Sequence, residues 1–309
     1  MSCRILSVGG CLPGKPVPNS DLRKYFETND EWIKSRTGIL QRYFKEGAAY
    51  EMAYEASINA IKNAKIEKSD IDLIIVATTT PDRSFPSTAT TLQGMLSIGE
   101  IPSFDINAVC SGFVYGLEVA NALMERSNYK KILLVGVDKM SSVLDMKDRT
   151  TDVLFGDGAG AVILQRDENS LFDSIIRSDG TFSDILKTEK TDTHHDKIHM
   201  KGQEVYKHAV TKMSELAYEL MARNNLSKDD VDYFVPHQAN IRIIDAVAEK
   251  LKFDDKKIIK TVSLHANTSS ATIPLALEFM RENQINKNSL ILMTAIGAGL
   301  TYGAALVRF

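Results

Sequence analysis

The chain has 309 residues, 44% hydrophobic and 25% charged, enough for a large core or two fused core units of an ordinary soluble protein. A net charge of −3 gives no reason to expect nucleic acid as the main partner. No apolar run reaches membrane-spanning length, Leu290–Ile296 being far too short.

Short runs rich in Ile, Val and Leu alternate with helix-like stretches. In chain order the pattern predicts a helix over Ala53–Ala64, a strand over Ile71–Ala77 and a helix over Thr88–Leu96. The run Phe104–Val109 follows, then a helix over Gly112–Met124 and strands over Lys131–Val137 and Gly160–Leu164. Helix Lys207–Ala222, strand Tyr233–Val235, helices Ile241–Leu251 and Pro274–Glu282 and strand Leu290–Ala295 complete the set. Strands alternating with helices predict an α/β protein with mostly parallel central sheets. The segment Ser178–Met200, with its polar run Thr188–Lys197, reads as an exposed excursion. Met1–Gly10 lacks the basic start and long apolar stretch of a signal peptide. Three cysteines (Cys3, Cys11, Cys110) make no disulfide framework, and that scarcity fits a reducing cytoplasm.

The order of elements suggests a degenerate internal duplication. Ser69–Asp72 leads into a strand and later to Val109-Cys110-Ser111-Gly112 opening a helix. Lys228–Asp232 does the same, reaching Ala266-Asn267-Thr268-Ser269. Asp72 to Cys110 is 38 positions and Asp232 to Asn267 is 35. The alternative is chance likeness between two generic strand–helix units. Duplication would put Cys110 and Asn267 at equivalent places and let distant segments build one site.

Cys110 at a strand-to-helix junction has unpaired N–H groups and the helix dipole beside it. These favour thiolate and can stabilise an oxyanion. A lone cysteine in apolar company is also a common inert core residue, so position alone does not decide. His237 closes the strand Tyr233–Val235, at the end where α/β folds open their crevices, although capping the next helix would explain it too. Asn267 reads equally as a plain N-cap. Together a Cys, a His and an Asn at element boundaries could form one crevice in which His and Asn donate to a thioester oxygen becoming an enolate.

The Gly-rich stretch Gly156–Ala161 lacks the Lys-Ser/Thr of a phosphate loop and leads into a strand, so close backbone packing explains it better, as it does Gly297-Ala298-Gly299. His194, His195 and His199 lie in a polar stretch without convergent ligands, so no metal is expected. Trp32 and Arg36, spaced i, i+4 on a short helix, offer stacking and phosphate contact or a mere surface packing pair.

These motifs, taken in order, resemble bacterial beta-ketoacyl-acyl-carrier-protein synthase III, a thiolase-fold condensing enzyme family. The likeness runs through Asn29–Ile33 with Arg36–Ile39, Phe85-Pro86-Ser87, Cys110-Ser111-Gly112, Phe155–Ala161, Pro236–Arg242 and Ala304–Phe309. The resemblance implies two pseudo-duplicated α/β halves, 1–165 and 166–309, with mixed five-stranded sheets and layered helices, in a cytoplasmic homodimer. It implies an acyltransferase without a cofactor, whose substrates are acyl-CoA and malonyl-acyl-carrier protein (malonyl-ACP), and no nucleic-acid or membrane partner. By similarity, Cys110 takes the acyl group of a short acyl-CoA, acetyl-CoA first. His237 and Asn267 then stabilise the enolate formed when malonyl-ACP decarboxylates, and the backbone N–H groups of Cys110 and Ala298 form the oxyanion hole. Thr28, Trp32, Arg36, Arg149 and Asn240 match CoA-binding positions. Gln238, Ala239, Asn240, Ile241 and Arg242, with Lys207 and Lys250, are carrier-binding candidates. Phe85 and Ile296 are assigned to the acyl pocket, Phe85 reaching the partner's.

Two departures stand out. The family usually has Phe-Gly-Gly-Gly where this chain has Ile296-Gly297-Ala298-Gly299, which opens the choice of primer, and Tyr43–Met52 is shorter than usual. A paralogue using a branched, longer or dicarboxylic primer, a cysteine hydrolase with Cys, His and Asn in that chain order, and a non-catalytic relative are the competing readings.

Overall fold

The computed structural model describes residues 3–190, 196–283, 286 and 288–309. The first half of the chain carries β1 (Cys3–Cys11), the short β2 (Val17–Pro18), α1 (Asp30–Thr37), β3 (Gln41–Arg42), α2 (Ala49–Ala64), β4 (Leu73–Ala77), α3 (Thr88–Leu96), β5 (Ser103–Ile106), α4 (Gly112–Arg126), β6 (Lys131–Lys139) and β7 (Asp157–Arg166). The second carries β8 (Phe172–Ser178), β9 (Leu186–Lys190), β10 (Asp196–Met200), α5 (Gly202–Arg223), β11 (Tyr233–Pro236), α6 (Ile241–Leu251), α7 (Val262–His265), α8 (Thr272–Glu282), β12 (Leu290–Gly297) and β13 (Thr301–Arg308).

One sheet has the order β1-β7-β6-β4-β5 and the other β8-β13-β12-β11. β4 pairs in parallel with β5 and β6, and β11 in parallel with β12. β7 runs antiparallel to both its neighbours, as does β13 to β8 and β12. The sheets are therefore mixed rather than mostly parallel, because β6–β7 and β12–β13 are direct reversals without a crossover helix. The second sheet has four strands instead of five. Its fifth is reduced to one parallel bridge, Phe234 with Ile258. After Ile259 N–H bonds Phe234 O (3.0 Å), the N–H groups of Thr261 and Val262 go to the Gln238 side chain (2.7 and 3.1 Å), so the chain leaves the ladder and turns into α7.

Strand alternation assigns each face its own cover. Ile132 and Leu134 of β6 and Ile291 and Met293 of β12 face a shared inner core containing Phe113, Leu117, Ile273 and Leu277 of α4 and α8. Leu133, Val135 and Val137 face α2 and α3, and Leu290 and Leu292 face α5 and α6. Helices thus lie between the sheets and outside both, which explains why β4 and β12 are buried along their whole length. The Gly-rich stretch serves close packing: a Cβ on Gly160 would lie 2.7 Å from Pro274 Cβ, and one on Gly156 2.9 Å from Arg42 Cβ. The expected excursion contains the antiparallel hairpin β9–β10. His194 and His195 lie outside the described residues, while His199 sits 3.6 Å from Glu189.

Candidate active site

Two turns of like construction meet between the sheets. In the first, Asn107 Oδ1 accepts from Val109 N–H (3.2 Å) and Ala108 O from Ser111 N–H (3.1 Å), and α4 begins at Gly112. In the second, Asn267 Oδ1 accepts from Ser269 N–H (2.8 Å) and Thr268 O from Ala271 N–H (3.1 Å), and α8 begins at Thr272. Val109 and Ser269 both take positive φ, 49° and 53°, a costly conformation for residues with a Cβ. These turns match Asn107 with Asn267 and Cys110 with Ser270. That corrects the sequence alignment of Cys110 with Asn267: 38 positions from Asp232 lands on Ser270.

The second turn is fixed by a buried carboxylate. Asp138 Oδ2 accepts from Ser270 N–H (3.0 Å) and O–H (2.7 Å), while Oδ1 accepts from Thr79 N–H (2.7 Å) and from Thr80 N–H and O–H (3.1 and 3.0 Å). Asn267 is anchored through its own N–H to Leu154 O (2.9 Å) and its carbonyl to Gly156 N–H (3.1 Å). Around the first turn, the absence of a side chain on Gly297 allows a close backbone approach: a Cβ there would stand 2.8 Å from Cys110 N and 2.9 Å from Ala108 O. The Thr301 hydroxyl donates to Ala108 O (2.9 Å) and accepts from Ser111 O–H (2.9 Å), tying the β12–β13 turn, with Ala298, to the turn that carries Cys110.

Cys110, His237 and Asn267 are all buried and share one cavity of about 620 Å³, which also reaches Trp32, Arg36, Asn240 and Arg242. A second cavity of about 280 Å³ continues beyond Cys110, lined by Thr79, Met140, Phe155, Ile198 and Ala298. Leu186 of β9 lines both, so the hairpin roofs the site rather than standing free in solvent. Burial pushes the Cys110 thiol up to about 12, opposed by the Ser269 hydroxyl. The lowered value expected from the helix N-terminus is thus outweighed by desolvation in the resting protein. Burial lowers His237 to about 3 and His265 to about 4, so both rings are neutral near pH 7. His265 has both nitrogens engaged, with Ala266 O (3.0 Å) and Thr261 Oγ1 (2.9 Å), and is structural. His237 uses Nδ1 alone, with Thr272 Oγ1 at 2.6 Å.

The outer residues divide. Asn29 caps α1 by accepting from Trp32 N–H (2.8 Å), which sets Trp32 and Arg36 on one face at the cavity mouth. Arg149 stacks over the Trp32 ring at 4.7 Å, and its guanidinium donates to Glu27 O (3.0 Å). Thr28 lines neither cavity, and its buried hydroxyl has no partner among the described residues. Asn240 caps α6, accepting from Ile243 N–H (3.0 Å). Ala239 joins the lining, half-buried Ile241 packs beside Gly38, and exposed Arg242 sits over the Tyr206 ring at 5.6 Å. Lys207 and Lys250 are exposed outside the cavity.

Gln238 must be withdrawn from the carrier-binding set. It is fully buried, its amide donates to Pro236 O (2.7 Å) and Ile259 O (3.1 Å), and its oxygen holds two backbone N–H groups, so nothing remains for a partner. Ile296, assigned from the sequence to the acyl pocket, lines the cavity of about 620 Å³ with His237 and Asn267 and not the one of about 280 Å³. Phe85 lines neither cavity and is 85% exposed. Sequence reasoning missed Asp138 and Thr272; an equal-spacing comparison of the halves would have flagged Thr272 as the counterpart of Gly112. Among the described residues, no group of three or more His, Cys, Asp or Glu is placed to hold a metal, and no helix is long and apolar enough to cross a membrane.

Comparison with known proteins decides the family. Residues 104–180 match the model for 3-oxoacyl-[acyl-carrier-protein] synthase III, and residues 221–309 match the model for its C-terminal part. A beta-ketoacyl-[acyl-carrier-protein] synthase III of Rickettsia canadensis is 51% identical, with all of both chains covered.

The chain belongs to the beta-ketoacyl-acyl-carrier-protein synthase III family.

The crystal structure of the 3-oxoacyl-[acyl-carrier-protein] synthase III of Aquifex aeolicus is 40% identical and superposes with a TM-score of 0.95 over 99% of this chain and 100% of that one. That of Pseudomonas aeruginosa is 34% identical with a TM-score of 0.93, covering 100% and 98%. The fold is thiolase-like, and the protein is an acyl-transferring condensing enzyme of fatty acid synthesis.

Proposed function

We propose that this enzyme joins a short acyl group from acyl-CoA, acetyl-CoA first, to malonyl-ACP with loss of carbon dioxide, giving 3-ketoacyl-ACP and starting fatty acid synthesis. The observation that carries this is the single cavity running from Trp32, Arg36 and Arg242 at the surface to Cys110, His237 and Asn267 inside. CoA enters by the Trp32–Arg149 stack with Thr28 nearby, and its pantetheine arm passes Asn240. Cys110 Sγ attacks the thioester carbonyl, the oxyanion sits at the N–H groups of Cys110 and Ala298, and CoA leaves with the thiol proton. Malonyl-ACP follows through the same cavity. Its carbon–carboxylate bond breaks, the electron pair becomes a thioester enolate, and His237 Nε2 and Asn267 Nδ2 donate to the enolate oxygen. The carbanion attacks the acyl-Cys110 carbonyl and the Cys110 thiolate leaves. The substrate carboxylate supplies the electrons, so no cofactor is required.

The exposed cations Arg242, Lys207 and Lys250, with Ala239 and Ile241 at the rim, meet the acidic carrier. Two chains pair as a homodimer, with exposed Phe85 reaching the partner's acyl chamber, in the cytoplasm and apart from membrane and nucleic acid. The division into two halves is placed at residues 165 and 166, the end of β7.

A cavity of about 280 Å³ is more than an acetyl group fills, and this favours a second reading in which the primer is longer or branched. Incubation with malonyl-ACP and a panel of acyl-CoAs separates the readings. New 3-ketoacyl-ACP from acetyl-CoA supports the first, and extension of other primers alone defeats it. Release of free acid without a new carbon–carbon bond identifies a hydrolase instead.

A further inference from the structure

The Thr272 hydroxyl oxygen lies between two groups able to accept its proton: His237 Nδ1 at 2.6 Å and Ser269 O at 3.0 Å. Both side chains are buried, and among the described residues no other polar atom bonds to His237 Nδ1. A hydroxyl has one proton and a neutral imidazole has one N–H, so the two choices are linked. If Thr272 donates to Ser269 O, Nδ1 carries the ring proton and Nε2 meets the cavity as a lone pair. If Thr272 donates to Nδ1, the ring proton moves to Nε2 and the cavity meets a donor. The shorter contact is to Nδ1. We propose that Thr272 is a positioning residue for decarboxylation, its hydroxyl donating to His237 Nδ1 and fixing the Nε2–H form that bonds the enolate oxygen. This rests on the reading of His237 given above.

The molecule contains its own comparison. Thr272 and His237 stand where the first half has Gly112 and Ala77, the same number of residues from Asp232 as those are from Asp72. There the contact is bare: a Cβ on Gly112 would lie 3.2 Å from Ala77 Cβ. The second half fills an apolar contact with a hydroxyl and an imidazole, which burial makes costly unless the two bond to each other. Among the described residues Nδ1 of His237 bonds Thr272 and no charged group, so the choice of tautomer falls to Thr272. His265 shows the contrast, since its Nε2 also meets a threonine but its Nδ1 is spent on Ala266 O, leaving no nitrogen for a substrate.

The test pairs a spectrum with two half-reactions. Nitrogen-15 NMR of histidine-labelled wild-type protein, with His237 assigned by its loss in His237→Ala, is expected to show a proton on Nε2. A proton on Nδ1 overturns the proposal, and this readout does not depend on any Thr272 variant folding. Thr272→Val is expected to slow carbon dioxide release from malonyl-ACP by roughly 10- to 100-fold through kcat rather than KM, as loss of an orienting partner does. Transfer of the acetyl group from acetyl-CoA to Cys110 should stay within a few-fold, and Thr272→Ser should restore decarboxylation. Unchanged decarboxylation in Thr272→Val, or equal loss of both half-reactions, overturns the proposal. His237→Ala separates the two levels: if it keeps decarboxylation, the reading of the site fails. If it loses decarboxylation while Thr272→Val does not, only the role of Thr272 fails.

Discussion

In the turn Asn107–Gly112 the residue facing the cavity is Cys110, and across from it stands Gly297. In the turn Asn267–Thr272 the same place holds Ser270, and across from it stands Asp138. Asp138 and Gly297 are themselves equivalent, each six residues beyond Ile132 and Ile291, the strand partners of Leu73 and Tyr233. In the second turn a carboxylate takes up the N–H and O–H of Ser270 and fixes the loop that carries Asn267. In the first turn the side chain is missing, and the backbones pack closely, a Cβ on Gly297 falling 2.8 Å from Cys110 N and 2.9 Å from Ala108 O. One frame therefore yields a turn held by a buried carboxylate on one side and a turn packed directly against glycine backbone on the other. His237 and Thr272, opposite Ala77 and Gly112, add a bonded imidazole and hydroxyl, which the proposed function assigns to the second substrate.

The largest effect is expected from giving Gly297 a side chain. Gly297→Ala should displace the Cys110 N–H, the oxyanion donor proposed above, and cost on the order of 10²- to 10³-fold in acyl transfer, with far-UV circular dichroism unchanged. Acyl transfer close to wild type would show that the close fit of Gly297 against Cys110 N is not needed. Next in size is removal of the support. Asp138→Asn should lower stability by about 3 kcal/mol in urea unfolding, since a buried carboxylate accepting several bonds loses its charge-assisted contacts. A change below about 1 kcal/mol would mean that the second turn holds itself.

A smaller effect follows from the two buried histidines, both in the second half. Their folded values, about 3 for His237 and about 4 for His265, lie below the ordinary 6.5. A depressed value means that the unfolded chain binds protons first as pH falls. Their contribution is whole above pH 6.5 and is lost as pH drops toward 4 and then 3. His265→Gln, which removes one of the two, should make the fall in urea midpoint below pH 6.5 shallower. An unchanged slope would place the acid sensitivity elsewhere.

Much of the fold is legible because fully covered strands are written as unbroken apolar runs. The runs Ile71–Ala77 and Leu290–Ala295 read as strands, and the structure has strands over Leu73–Ala77 and Leu290–Gly297. β1 and β8 are not, since Cys3–Cys11 mixes Arg, Ser and Gly with its apolar residues and Phe172–Ser178 is mostly half-buried. Cys110, His237 and Asn267 each stand at an element boundary, which makes them candidates, and the ordered family motifs single them out. Gln238 is misplaced for the opposite reason: its motif says nothing of burial, and only the fold reveals that its amide replaces a missing sheet strand. Ile296 and the hairpin β9–β10 acquire their places from tertiary packing, which no local pattern encodes. Asp138 sits 129 positions from Asn267 in the chain and beside its loop in space.

If the unequal turns divide the labour, the two half-reactions come apart in single variants. Acyl transfer from acetyl-CoA to the protein, read by mass spectrometry, and carbon dioxide release from malonyl-ACP are measured in Cys110→Ser, His237→Ala and Asn267→Ala. No acyl transfer is expected in the first variant, and in the other two retained acyl transfer with decarboxylation lost. Equal loss of both half-reactions in all three variants would show that the turns do not divide the labour.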